Sequence, residues 1–120
     1  MRNDSGDRFG YSLADFGAKS TALPALRKTD VRAGDCVVVR TRNSLYALHS
    51  TGDGRFTVTG GWFERKGKNG CRTSVNGCTL GGSIIKIDVV AARGLCIEFS
   101  NRLITSPVEC FVVLPSGWQN

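Results

Sequence analysis

The chain is poor in the residues from which catalytic and metal centres are commonly assembled. Among its 120 residues there is one histidine, His49, one methionine and three prolines. His49 is accompanied by no Gly-x-Ser-x-Gly motif and no second histidine. The nucleophile, base and orienting group of a hydrolase are therefore not spelled out along the chain. A Cys-x-x-Cys pair is also missing, so a zinc centre would have to gather scattered ligands, and no metal or cofactor is implied. The glycine pairs Gly60-Gly61 and Gly81-Gly82 lack the Gly-Lys-Ser/Thr ending of a phosphate loop; in a β-rich chain such doublets mark bulges or close backbone approach.

Long hydrophobic and long charged runs are absent as well. No stretch of eighteen apolar residues is present to cross a bilayer, and the first twenty residues lack the apolar core of a secretory signal. The expected compartment is the cytoplasm, with no membrane partner. Five cysteines, Cys36, Cys71, Cys78, Cys96 and Cys110, form an odd set that suits a reducing environment better than a disulfide framework. Cys36, Cys96 and Cys110 sit within apolar runs, where a thiol behaves as a small hydrophobe. Sixteen basic against ten acidic residues give a net charge of +6, an electrostatic footprint for an anionic partner without a statement about fold.

What is present is a β pattern. Residues 1–29 are rich in Gly, Ser, Asp and Ala without a sustained period and are expected to form a flexible or loosely docked N-terminal arm. From residue 30 to 120, short β-branched and aromatic runs alternate with Gly, Asn and Asp turns. The expected strands are 36–42, 45–50, 55–59, 71–75, 83–89, 95–100, 102–106 and 109–114. "TGDG" at 51–54 and "NG" at 76–77 supply hairpin turns, and a further reversal is expected around Asn101. About eight short, mostly antiparallel strands predict an all-β fold, a small barrel or compact β-sandwich. An apolar content of 41% is sufficient for one modest core. Residues 33–43 and 93–103 also echo one another at an offset of sixty, Gly34 matching Gly94 and Cys36 matching Cys96, the pattern of a pseudo-two-fold barrel.

Within "RTRNSLYAL" at 40–48 the valine run breaks into polar residues and then resumes. Strand alternation places Val37, Val39 and Thr41 on the core side and Arg40 and Arg42 on the wet side. Asn43 and Ser44, both able to hydrogen-bond local backbone, predict a bulge or structural corner. The sharpest binding signal is "GGWFERKGKNGCR", in which Trp62 stands among Arg65, Lys66, Lys68 and Arg72. With Arg40 and Arg42, these residues are the candidate nucleic-acid contacts, since single strands are held by stacking and phosphate neutralisation.

The order of "TRNSLY" (41–46), "GGWF" (60–63), "LGGSIIK" (80–86) and "ITSPV" (104–108) resembles that in a group of small bacterial all-β proteins with no established activity. The resemblance implies a compact β fold over residues 31–114 and transfers no catalytic residue. Three functional readings follow. The first is a non-enzymatic interaction module with a protein partner or a homo-oligomeric assembly. The second is a nucleic-acid-binding barrel, and the third a small hydrolase or redox enzyme using His49 or a cysteine.

Overall fold

Alternation of buried and exposed residues, with turns where glycine permits them, gives a barrel-like antiparallel fold. The computed structural model describes residues 25–80 and 84–117. These form β1 (Ala25–Arg27), a 3-10 turn (Lys28–Asp30), β2 (Cys36–Thr41), β3 (Leu45–Gly52) and β4 (Arg55–Gly60), followed by the short helix α1 (Gly61–Arg65). Then come β5 (Cys71–Leu80), β6 (Ile84–Lys86), β7 (Val89–Ala92), β8 (Cys96–Phe99) and β9 (Val108–Leu114). The main sheet runs β6-β5-β4-β3-β2-β9 with β8 also paired to β5, and β1 pairs with β7.

β5 is the strand that curls the sheet. Its first half pairs with β4, from Arg55↔Ser74 to Val58↔Cys71. Its second half lies between β6 and β8. Residues 76–77, expected to turn a hairpin, instead lie inside this strand, at a register shift against β8. The reason is steric: Gly77 is buried, and a Cβ there would collide with the carbonyl of Lys86. The glycine serves a close crossing of backbones rather than a reversal. Cys71 and Cys78 consequently share one strand and do not flank a turn.

Other expectations are revised. Residues 102–106 contribute only an isolated bridge, Glu98↔Ile104. Their polar groups are engaged elsewhere, through Thr105 N–H to the Ile97 carbonyl and the hydroxyl contacts described below. The expected strand 83–89 is divided by a turn at Ile87-Asp88 into β6 and β7. Part of the basic loop winds into α1, and residues 25–29 of the expected arm build β1 and the 3-10 turn; residues 1–24 lie outside the described residues. The turn at Asp53-Gly54, with φ of 56° and 73°, is a two-residue hairpin of the kind its sequence demands.

The echo at sixty residues corresponds to a repeated hydrogen-bond pattern. Gly34 N–H donates to Ser50 O at 2.9 Å, and Ser50 N–H to Asp35 O at 2.8 Å. Sixty residues on, Gly94 N–H donates to Val108 O and Val108 N–H to Leu95 O, both at 2.8 Å. The second pair ties the turn before β8 to the start of β9. Inside, Val37, Val39, Leu48, Phe56, Val58 and Phe63 join Val75, Val90, Ile97 and Phe99 in one core. Each large side chain so enclosed contributes about 1.5–3 kcal/mol from removal of apolar surface from water.

Candidate functional site: a polar corner and a basic groove

Asn43 and Ser44 stand where the chain reverses completely. β2 and β3 remain paired to Arg40↔Leu45, and Thr41 N–H reaches Ser44 O at 2.8 Å, so Arg42 and Asn43 are the tip of a hairpin. The buried Thr41 hydroxyl accepts from Ser44 N–H at 3.1 Å and from Ser106 Oγ at 2.8 Å. Ser106 Oγ in turn accepts from Asn43 N–H at 3.0 Å, and Arg42 N–H donates to Pro107 O at 2.9 Å. The interruption in the strand and the "TSP" segment thus satisfy each other's backbone. It is the Thr41 and Ser106 hydroxyls, rather than the Asn43 side chain, that receive the freed amides. Tyr46 packs perpendicular to Phe63 and tilted against Phe99, and a Cβ on Gly61 would strike the Tyr46 ring. "TRNSLY", "GGWF" and "TSPV" therefore interlock at one end of the barrel, and their chemistry is packing.

The seven residues expected to contact nucleic acid divide among different surroundings. Arg40 lies 3.6 Å from Glu109, a half-exposed pair of little energetic weight. Arg42 is at the exposed hairpin tip, and Arg65 donates to Ser44 Oγ at 3.3 Å. Lys66 and Lys68 are exposed after α1, where Lys66, Gly67 and Lys68 N–H groups cap the helix carbonyls. Trp62 is half-buried, its ring perpendicular to that of Phe63 and packed on the core, so only part of it is accessible for stacking. Arg72 is opposite Thr57 on the outward side of the β4–β5 ladder, grouped with Arg55.

The structure also brings His49 to Cys36, whose cross-strand pairing leaves Nε2 3.9 Å from Sγ. Burial pushes the Cys36 thiol above its ordinary range, which favours the protonated, unreactive form. Burial likewise raises Cys110, and raises Cys78 to about 12. All five cysteines are free. Among the described residues no group of three or more His, Cys, Asp or Glu side chains is arranged to hold a metal, and no helix is long and apolar enough to cross a membrane.

Two adjoining concavities lie among the described residues. The first, about 470 Å³, is lined by Thr51, Arg55, Phe56, Arg72, Thr73, Ser74 and Ser100. The second, about 590 Å³, shares Arg55 and Ser74 and extends past Val75 and Asn76 to Ile85, Ile87, Lys28, Asp53 and Glu98. Glu98 there accepts from Asn76 Nδ2 at 2.9 Å. Sequence reasoning singled out Arg72 but missed Arg55, because the two arginines come together only through the β4–β5 register. The chain matches no protein-family model, no curated protein and no solved structure.

Proposed function

We propose that this protein is a non-enzymatic cytoplasmic interaction module whose docking rim is the β5–β6 end of the sheet, with a second copy of the chain as its first partner. The observation that carries the proposal is the exposure of Ile85 and Ile87, 43% and 67%, beside one another at the β6 end of the sheet. β6 ends the sheet path, and among the described residues its outer edge has no strand partner. A short end strand with exposed isoleucines is suited to pairing with another chain. The five free thiols support a reducing compartment, and the raised Cys36 thiol weighs against the enzyme reading. The half-buried Trp62 weighs against the nucleic-acid reading.

The test is light scattering of the purified protein over a range of concentrations, beside a double variant, Ile85→Lys with Ile87→Lys. Self-association of the parent, with a folded but monomeric variant, is the expected result. A parent that stays monomeric at the highest attainable concentration removes the second copy as the partner.

A further inference from the structure

We infer that the concavity between β4, β5 and the turn after β8 is a binding site for a phosphate monoester, gripped by Arg55 and Arg72. In the ladder, Arg55 faces Ser74 and Arg72 faces Thr57, so the two arginines are diagonal neighbours on one face. Diagonal positions lie within reach of long side chains, and like charges held side by side on a sheet are unfavourable. No carboxylate lines this concavity, and neither arginine has an acidic partner within 4.0 Å among the described residues. Two guanidinium forks on one hollow, with nothing to neutralise them, match an oxyanion carrying two charges.

The neighbouring hydroxyls hold the walls of the hollow in place. Ser100 Oγ accepts from Ser74 N–H at 3.2 Å and lies 2.8 Å from Thr73 Oγ1. Thr73 Oγ1 donates to the Ser74 carbonyl at 3.4 Å, so the Ser100 proton goes to Thr73 and the pair braces β5 beside the arginines. Thr51 Oγ1 donates to the Arg55 carbonyl at 3.2 Å, which braces the start of β4 at the mouth of the site. The volume of about 470 Å³ exceeds the needs of a bare phosphate, and the hollow continues past Ser74 to Val75, Ile85 and Ile87. That continuation is mixed, setting Val75, Ile85 and Ile87 beside Lys28, Asp53, Asn76 and Glu98, where the first part is cationic. The ligand is therefore a phosphate carried on a small organic body, with its oxygens at the arginines and its body along the isoleucines. Ile85 and Ile87 also belong to the proposed rim, so the arginine variants, which leave the rim intact, separate phosphate binding from self-association.

Amide-resolved NMR titration with phenyl phosphate tests the inference, with inorganic phosphate, sodium chloride of equal ionic strength and a single-stranded oligonucleotide as parallel probes. Phenyl phosphate should shift the amides of Arg55, Arg72, Ser74, Ser100 and Ile85, and should bind more tightly than inorganic phosphate. Arg55→Gln and Arg72→Gln should each weaken it by about tenfold or more, since each removes charge-assisted hydrogen bonds. Arg40→Gln should leave it unchanged. Should a glutamine variant unfold, Arg72→Lys, which keeps the charge but loses the fork, must show weakened binding in a folded protein. The same shifts with sodium chloride would overturn the inference. So would shifts centred on Lys66 and Lys68, or oligonucleotide binding that depends on Arg72 in a protein that does not take phenyl phosphate.

Discussion

The Thr41 hydroxyl, 2% exposed, holds together two segments sixty-five residues apart through Ser106. Ser106→Ala removes the acceptor of Asn43 N–H and one partner of Thr41, and should lower stability by about 1–2 kcal/mol in urea unfolding. Asn43→Ala should change it by less than about 0.5 kcal/mol, because that side chain is exposed and the amide bond belongs to the backbone. Equal losses from the two substitutions would contradict the roles assigned to them. The cysteines make a second residue-level prediction, in pH. A thiol raised by burial keeps its proton in the folded protein while the unfolded chain gives it up near about pH 8.5. The resulting stability is complete below that value and is lost as pH rises, for Cys78 toward about 12. Thermal midpoints should fall as the pH rises from about 8.5 to about 10.5, and fall less steeply in Cys78→Ala.

At the scale of elements, β5 has the most to lose from a small change. It must bend from one ladder into another, and Gly77 is where the Lys86 backbone crosses it closely. Gly77→Ala should cost about 3 kcal/mol or more by forcing β6 away from β5, measured by chemical denaturation. Gly67→Ala, at a φ of 67° with open space around it, should cost only about 1 kcal/mol. Gly77, at a φ of 151°, carries collision as well as strain and Gly67 strain alone, so the difference between them reports the collision. The same element explains why an Asn-Gly pair misleads: the dipeptide is permissive of a reversal, but it turns only if the flanking runs pair with each other. Here residues 71–74 pair with β4, and 75–80 pair with β6 and β8.

For the whole molecule, the two-stranded β1–β7 unit matters more than its size implies. Leu26 on β1 is buried and belongs to the core, with its neighbour in register being Ala91. A chain beginning at residue 30 should be less stable than one beginning at residue 25 by about 1.5–3 kcal/mol from Leu26 alone. Thermal unfolding of the two truncations would measure the difference. Equal stability would show that β1 adds nothing to the core. The repeated tie at Gly34 and Gly94 fastens the turn before β2 to β3 in one copy and the turn before β8 to β9 in the other.

The local chemistry of this chain determined a good deal by itself. Alternation in residues 36–41, with Val37, Val39 and Thr41 inward, follows from the two-residue period of a strand and is what the fold contains. Asp53-Gly54 turns because both residues adopt positive φ. Register and long-range pairing were decided only in three dimensions. Thr41 meets Ser106 because β2 lies beside β9, and Arg55 meets Arg72 because β4 and β5 pair with an offset that no local pattern encodes. A strand's side-chain period tells which face a residue takes, while the energy of the assembled core chooses its neighbours. The polar corner was visible as an interruption in a strand; the basic groove, assembled across a ladder and a distant turn, was not.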